Sequence, residues 1–259
     1  MTQRADICVV ACAESWRGAG EIVARPIGAV PTIAARLARA TFSPDLLLSD
    51  GEACLVTGNW SLGATPTGAT ESYLPYRSVF ELAWRGQGHI MMMPAQLDRF
   101  GNANLSAIGD FSAPTRQLLG VCGAPGNTVT NPTSYWVPKH RMRSFVDRVD
   151  VVCGVGYDNA QAGGFSARRY HDVRRVVTDL AVLDFDTPTH EMRLVSVHPG
   201  VTVDEVVENT GFPLTIVTAV PQTRVPSDDE LRIIEYLDPN GRRFNEVPRT
   251  EEGQCHAAR

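Results

Sequence analysis

The first half of the chain alternates between segments with the apolar spacing of a helix and short apolar runs of strand length. Residues 7–16 and 32–41 have helical spacing, whereas residues 46–48 and 90–93 are short apolar runs. Helices between strands are typical of βαβ units, because two parallel strands need a crossover connection. We therefore expect an α/β fold with an open, mostly parallel sheet flanked by helices.

The second half of the chain predicts antiparallel additions to that sheet. Residues 175–178 and 181–185 are apolar runs separated by a two-residue turn, which is typical of a hairpin, and residues 192–197 are expected to pair next. Residues 203–210 predict a late helix that begins with Asp204 and Glu205, which the helix dipole favours, and residues 228–237 predict a last helix that ends at Asp238-Pro239.

The remaining segments are less regular. Residues 57–75 are rich in Gly, Ser and Thr and predict a long loop or lid. Residues 79–84 predict a short helix. Residues 118–122 and the end of residues 144–155 are apolar and predict further strands.

Length and charge limit the classes of protein. The chain has 259 residues, 43% of them hydrophobic, so residues 1–250 are expected to form one domain and residues 251–259 a disordered tail. A net charge of −5 argues against nucleic acid as the main partner. No apolar run is long enough to cross a membrane. We expect neither a nucleic-acid nor a membrane partner.

Cysteine and histidine usage points to the cytoplasm and away from a metal site. The six cysteines are scattered without a Cys-x-x-Cys pair, and the N-terminus matches no secretory pattern. The six histidines are isolated and lack metal-ligand spacing. We predict a cytoplasmic protein without a bound metal.

The first candidate for chemistry is the tetrapeptide Ser49-Asp50-Gly51-Glu52, directly after an apolar run. Ligands of open α/β sheets bind at the carboxyl ends of strands, which is where this tetrapeptide is expected to lie. Asp50 and Glu52 could act as nucleophile or base, or could orient a catalytic group. The alternative is a solvated turn, since Asp-Gly is a common turn sequence.

The second candidate is the segment of small residues after the 118–122 run. Backbone N–H groups of Gly123, Ala124, Gly126 and Asn127 could stabilise an oxyanion, because small side chains leave the amides accessible. An ordinary loop is the alternative. The segment is not a P-loop, since no Gly-Lys-Ser/Thr follows.

Two further polar stretches stand out. Asn102 and Asn104 lie in residues 95–110, after the 90–93 run, among glycines that let the backbone approach a ligand; we predict that they bind substrate. The stretch Lys139-His-Arg-Met-Arg143 predicts a basic surface patch that includes His140. It could contact phosphate or an acidic partner, or could simply be a solvated basic face.

The chain resembles the β subunits of family I CoA-transferases, in particular the glutaconate CoA-transferase type, over nearly its whole length. The resemblance depends on the order and spacing of several motifs. They are Phe42-Ser-Pro-Asp45, Gln96 to Asn104 with Ile108-Gly-Asp110, Val176-Val-Thr-Asp179, and Asp204 to Phe212. It implies a CoA-transferase-like fold.

One departure from the family bears on the chemistry. The transferases carry a catalytic glutamate after the first apolar strand, which forms an acyl-glutamyl link to substrate. Here Gly51 occupies that position and Glu52 comes one residue late. A proline, Pro125, is inserted into the equivalent of the family's Gly-rich loop. The resemblance therefore does not support transfer through a glutamate of this chain.

Other stretches are similar to one branch of the family, the β subunits of the ring-opening hydrolases of bacterial steroid catabolism. These stretches are Ser49 to Ala53, Pro125 to Thr128, Thr133 to Val137, Gly154 to Asp158 and His198 to Thr202. The similarity implies an α2β2 enzyme that opens the ring of a 6-oxocyclohexene carboxyl-CoA thioester by hydration and retro-Claisen cleavage.

The same resemblance implies that the main base lies on an α subunit, with Asp50 and Glu52 in supporting roles. Coenzyme A would enter only as part of the substrate, and no other cofactor is expected. Two alternatives stay open. The chain could be the β subunit of a true CoA-transferase acting between dicarboxylic or keto acids, or a non-catalytic scaffold subunit.

Overall fold

The structure is a computed structural model that describes residues 2–121 and 123–249, with the backbone alone described at residue 83. The predicted disordered tail, residues 251–259, lies outside the described residues. The helices are α1 (Arg4–Ala13), α2 (Ala29–Ala40), α3 (Tyr76–Trp84), α4 (Ala124–Thr130), α5 (Tyr157–Ala162), α6 (Phe165–Arg168), α7 (Val203–Glu208), α8 (Asp228–Leu237) and α9 (Arg243–Glu246), with a 3-10 turn at Glu14–Trp16. The strands are β1 (Val23–Pro26), β2 (Cys54–Val56), β3 (Thr70–Tyr73), β4 (Gly88–Met92), β5 (Gln96–Leu97), β6 (Ala103–Asn104), β7 (Ala107–Ile108), β8 (Arg116–Gln117), β9 (Pro132–Val137), β10 (Asp172–Thr178), β11 (Ala181–Asp184), β12 (Arg193–Val197) and β13 (Thr215–Ile216).

Seven strands form the main sheet, in the order β1-β4-β9-β10-β11-β12-β13. The pairs β1–β4, β4–β9 and β9–β10 are parallel, whereas β10–β11 and β11–β12 are antiparallel. The expected α/β fold, with a mostly parallel sheet and antiparallel additions in the C-terminal half, is confirmed. Neither β1 nor the central strand β9 was predicted.

Helices cover both faces of the sheet. Along β4 and β9, Met91 and Trp136 point into one core with α1, α2 and α8, whereas their neighbours Met92 and Tyr135 point into a second core on the opposite face. This alternation follows from the two-residue period of a strand. Because both faces are covered, every residue of β4 is buried, and its sequence is a continuous apolar run apart from His89.

Several predicted elements are wrong in detail. Residues 118–121 form no strand: Leu119 is 98% exposed, and the segment is held by the Leu118 and Gly120 amides, which donate to Ser106 and Leu105. Residues 144–155 form no strand either, but wrap around β5 and β6 with only single bridges. In both cases apolar composition suggested a strand, but the backbone contacts with neighbouring segments are too few to form a continuous ladder.

Three further segments also differ. Residues 46–48 are not a strand but an isolated bridge, in which Leu47 pairs with β1 at the edge of the sheet. The predicted loop at 57–75 contains β3, which pairs with β2 as a hairpin although its side chains are exposed. His140, predicted to lie on a basic surface patch, is buried, with its ring stacked on Phe145 at a centroid distance of 3.9 Å.

Candidate active site

Asp50 organises a tight turn at the end of the 46–48 segment. Its Oδ1 atom accepts hydrogen bonds from the backbone N–H groups of Glu52 at 2.8 Å and of Ala53 and Cys54 at 3.0 Å each. The amide of Cys54, with smaller contributions from the other two, holds the pKa of Asp50 below its usual range. Asp50 is therefore an ionised carboxylate, suited to orienting a polar group and poorly suited to accepting a proton.

The Asp50 turn lines a cavity of about 300 Å³ between α2 and α3, at the end of β1. Two arginines also line this cavity. Burial lowers the pKa of Arg25, and lowers that of Arg36 to about 10. Arg36 donates to the carbonyl oxygen of Trp60 at 2.6 Å. Glu52 is exposed and does not line the cavity.

Arg25 connects the Asp50 turn with the second predicted site. Its Nη1 atom donates to Oδ1 of Asn127 at 2.8 Å, and both residues line an adjoining cavity of about 520 Å³. Arg25 and Val79 line both cavities, so the two spaces meet at these side chains. Sequence reasoning missed Arg25. The available signal was a single charged residue within the otherwise apolar stretch Val23 to Ile27.

The predicted oxyanion segment is a helix rather than a loop. Gly123 precedes the first turn of α4, and Pro125, which has no N–H to lose, occupies that turn. The Ala124 amide donates to Val121, and the Asn127 amide donates to Gly123. At most the amides of Gly123 and Gly126 therefore remain as donors to a ligand, fewer than a loop would offer.

These groups can bind an oxygen that develops negative charge. A partly buried guanidinium and backbone amides facing a cavity stabilise such charge strongly, because little water competes with them. Among the described residues that line the two cavities, Asp50 is the only carboxylate, and there is no histidine or cysteine. The site as described thus contains groups for electrostatic stabilisation and lacks a group suited to general base catalysis.

Asn102 and Asn104 lie elsewhere, in the interior between β5, β6 and residues 153–159. The Asn102 Nδ2 atom donates to Asp98 at 2.9 Å and to Asp158 at 2.8 Å, while its Oδ1 atom accepts from the Gly156 amide at 2.7 Å. Burial raises the pKa of Asp98 to about 6. We refer to Asp98, Asn102, Asn104 and Gln96 as the asparagine cluster.

Asn104 is held in the same manner. Its Nδ2 atom donates to Gln96 Oε1 and to the Ala107 carbonyl oxygen, each at 2.7 Å, and its Oδ1 atom accepts from the Ser106 amide at 3.0 Å. Both asparagines are at most 1% exposed, and neither lines the cavities beside Arg25. The structure does not bring them to Asp50 or Asn127, and substrate binding by them stays a prediction.

Gly156 shows why the asparagine cluster needs glycine beside it. A Cβ atom at this position would lie 2.5 Å from the Asn102 nitrogen and 2.6 Å from the Phe100 oxygen. The Tyr157 amide donates to the same Phe100 oxygen at 2.9 Å. Gly156 therefore permits close contact between two backbone segments of this chain. It directly precedes α5, and the strand predicted at the end of residues 144–155 does not form.

Neither a membrane span nor a metal-ligand group is found in the part of the chain that the structure describes. No helix there is long and apolar enough to cross a bilayer. The His, Cys, Asp and Glu side chains within residues 2–121 and 123–249 form no group of three or more that could hold a metal ion.

Comparison with known proteins identifies the family. The Coenzyme A transferase family model matches residues 20–209. The cholesterol ring-cleaving hydrolase IpdB subunit of Rhodococcus jostii (strain RHA1) is 49% identical over 245 residues, which are 94% of this chain and 96% of the relative. The subunit of the same name from Mycobacterium tuberculosis (strain ATCC 25618 / H37Rv) is 48% identical over 250 residues, covering 95% of this chain and 99% of the relative.

The fold agrees with these sequence matches. A chain in the crystal structure of Rhodococcus jostii RHA1 IpdAB superposes with a TM-score of 0.89 at 47% identity, over 94% of this chain and 98% of that chain. The family model covers well over half of the chain, and both relatives match along nearly their full length. This chain therefore belongs to the Coenzyme A transferase family.

Proposed function

We propose that this chain is the β subunit of a hydrolase that opens the last steroid-derived ring of a CoA thioester. The observation that carries the proposal is the 49% identity, along nearly the whole of both chains, to a cholesterol ring-cleaving hydrolase subunit. The site itself supports hydrolysis over transfer. Where the transferase resemblance places a nucleophilic glutamate, this chain has Gly51 at φ +90°, and Glu52 is exposed outside the cavity.

The proposed substrate is a 6-oxocyclohexene carboxyl-CoA thioester, in which the ring ketone is β to the thioester carbonyl. Water first adds across the ring C=C bond, placing its hydroxyl on the carbon β to the thioester and a proton on the α carbon, so that the α carbon can later carry the charge of an enolate. A base then removes a proton from a second water, and the oxygen of that water bonds to the ring ketone carbon. The ring C–C bond next to that carbon then breaks, and its electron pair is delocalised as the thioester enolate. Protonation of the enolate carbon completes the reaction and leaves a new carboxylate. Coenzyme A is part of the substrate, and the sequence of steps needs no other cofactor.

In this mechanism Arg25 and the amides of Gly123 and Gly126 stabilise oxyanion charge. Removing one such donor typically costs about 3 kcal/mol of transition-state stabilisation. Asp50, whose Oδ1 atom is engaged by three amides, orients the attacking water or the base through its remaining oxygen. The base itself is proposed to come from an α partner, because the described residues lining the two cavities offer none.

The surface beside the site fits such a partner. On α3, Tyr76, Phe80 and Trp84 recur every four residues and are 76%, 46% and 77% exposed. All three line the same cavity as Arg25 and Asn127. Exposed aromatic side chains in a row are typical of the buried centre of protein interfaces. An α subunit bound to this face would close the cavity from solvent and place its base beside Arg25, within an α2β2 assembly.

We also propose that the enzyme works in the cytoplasm. Cys8, Cys12 and Cys153 are buried and unpaired with one another, as is usual in a reducing compartment. Burial raises the pKa of Cys8 and Cys12 well above its usual range, so these thiols are unreactive structural side chains.

The test is to co-express the chain with its α partner and to supply the ring-containing CoA thioester in ¹⁸O-labelled water. Ring hydrolysis predicts a product with one label in the new carboxylate, formed without any added carboxylic acid. Product formation only when a free acid accepts CoA, with no label, would show a CoA-transferase instead. Full activity of Arg25→Gln and Asp50→Ala variants would indicate a scaffold subunit.

A further inference from the structure

Glu246, the last residue of α9, joins three segments that are distant in the sequence. Its Oε1 atom accepts a hydrogen bond from the amide of Ala29 at 2.6 Å, and its Oε2 atom accepts one from the amide of Val30 at 3.1 Å. The Oε2 atom also accepts from the indole N–H of Trp136 at 2.9 Å. One carboxylate therefore ties α9 to the first turn of α2 and to the central strand β9.

The first turn of α2 depends on this carboxylate. The N-cap residue is Gly28, which has no side chain that could accept from the first amides of the helix. Glu246 accepts from them instead, and its negative charge lies at the positive end of the helix dipole. A Cβ atom at Gly28, where φ is +110°, would lie 3.0 Å from the Glu246 Oε1 atom. Glycine at this position thus leaves room for the carboxylate.

The helix that carries the carboxylate is itself firmly held. The guanidinium of Arg243 is buried, and it donates to Asp6 at 2.8 Å and to Asp238 at 3.0 Å. It also pairs with Glu235. Asp238 accepts from the Arg243 amide at 3.0 Å as well, at the start of α9. Because breaking a buried ion pair is strongly destabilising, α9 is a rigid support for Glu246.

The segments that Glu246 ties together are walls of the candidate active site. Arg25 lies near the end of β1, four residues before α2 begins, and Arg36 of α2 lines the same cavity as Arg25. Asn127, the hydrogen-bond partner of Arg25, lies on α4, the helix that precedes β9. A fixed first turn of α2 against β9 therefore fixes where the two arginines meet the cavity.

We propose that Glu246 is a positioning residue for ring opening, which holds α2 and with it the Arg25 guanidinium in place. This inference rests on the proposed function, because that function gives Arg25 an oxyanion to stabilise. Glu246 lines neither of the cavities beside Arg25, so it acts through α2 and does not touch the substrate. A displacement of about 1 Å in a group that acts on the transition state can cost about a hundredfold in rate.

The first test measures kinetics of the complex with its α partner. Glu246→Ala should lower kcat for ring opening about tenfold and change KM less than about twofold, because Arg25 acts on charge that develops in the transition state. Glu246→Gln keeps one oxygen for the α2 amides, so kcat should fall only about threefold. Glu208→Ala removes the same side chain from an exposed position on α7 and should leave both constants unchanged.

A double variant shows whether the effect passes through Arg25. In an Arg25→Gln background, Glu246→Ala should lower kcat less than about twofold, since the group that Glu246 positions is already absent. A general loss of folding would instead lower activity equally in both backgrounds. A tenfold fall of kcat in both backgrounds would therefore overturn the proposal.

Amide hydrogen exchange tests the same contact without any measurement of activity. In the Glu246→Ala complex the amides of Ala29 and Val30 should exchange at least about tenfold faster, whereas the amides of β11 should exchange as in the unmodified complex. Unchanged exchange at Ala29 and Val30 would overturn the proposal. Faster exchange there, in a complex whose unmodified form opens no ring, would refute only the proposed function.

Discussion

The asparagine cluster and the site around Arg25 are both polar, yet they use their polar groups differently. The side-chain amide of Asn102 donates to Asp98 and Asp158 and accepts from the Gly156 amide, and Asn102 lines neither of the two cavities beside Arg25. Within the described residues the Arg25 side chain makes one hydrogen bond, to Asn127, and it lines two cavities. Groups satisfied within the chain stabilise the fold, whereas groups left facing a cavity remain for a ligand. The comparison predicts stability effects in the first region and rate effects in the second.

The largest expected effect is on stability, from Asn102→Ala. It leaves Asp98 and the Gly156 amide buried with fewer partners, so we expect the free energy of unfolding to fall by about 3 kcal/mol. Urea denaturation of the complex measures this. Asn245→Ala, which changes an exposed asparagine, should alter stability by less than about 0.5 kcal/mol. Near-normal stability of Asn102→Ala together with a large loss of activity would instead place Asn102 at the substrate.

The next effect is on rate, from Arg25→Gln. Removing the guanidinium should lower kcat/KM for ring opening about a hundredfold, because a preorganised charge next to the oxyanion is lost. Stability should change little, since glutamine can still donate to Asn127. Steady-state kinetics and urea denaturation of the same preparation separate the effect on rate from the effect on stability. A large loss of stability with kcat/KM retained would show that Arg25 stabilises the fold, as the asparagine cluster does, and does not act on the substrate.

A smaller rate effect should distinguish the two carboxylates of the Asp50 turn. Asp50→Asn keeps an oxygen for the three amides and removes only the charge, so we expect kcat to fall about tenfold with KM unchanged. Glu52→Gln, at an exposed residue two positions further along the chain, should change kcat less than twofold. Equal losses in both variants would contradict the assignment of Asp50 as the orienting group.

The smallest effect concerns pH and a second buried polar region. His140 hydrogen-bonds the hydroxyls of Thr178 at 3.1 Å and Thr210 at 3.0 Å, and burial lowers its pKa to about 3. Its folded-state pKa lies below the unfolded value near 6.5, so the unfolded chain binds more protons and stability falls as pH drops below about 6.5. His198 behaves alike, with a pKa of about 4.

Removal of one histidine should weaken this dependence. Between pH 7 and pH 5.5 the unmodified chain should lose about 1 kcal/mol of stability through His140 alone, and His140→Gln should lose that much less. Denaturation at both pH values compares the two proteins directly. Asp98, whose pKa is raised to about 6 by burial, acts in the opposite sense, but equally in both proteins. Identical pH slopes would show that His140 is not held neutral by burial.

Much of the fold was predictable because periodicity reports burial directly. The β10–β11 hairpin, strand β12 and helix α8 lie where apolar runs, the two-residue turn and the helix end at Asp238-Pro239 placed them. Strand β9 was missed because Thr133 and Ser134 interrupt its apolar pattern, although both are buried in the sheet. Residues 118–121 were misread for the opposite reason, since apolar side chains of that run, Leu119 above all, face solvent.

For the site, the sequence by itself determined the family, through the order and spacing of motifs, and it located the Asp50 turn and the Gly123–Asn127 segment. Only the tertiary structure decided which polar groups remain for chemistry. The side chains of Asn102 and Asn104 are hydrogen-bonded inside the chain, and the segment expected to be a loop is helix α4. Arg25 contacts Asn127, which lies 102 residues further along the sequence. The physical reason is that a hydrogen bond satisfied within the fold is unavailable to a ligand. Which bonds form depends on how distant segments pack, and local sequence does not specify that.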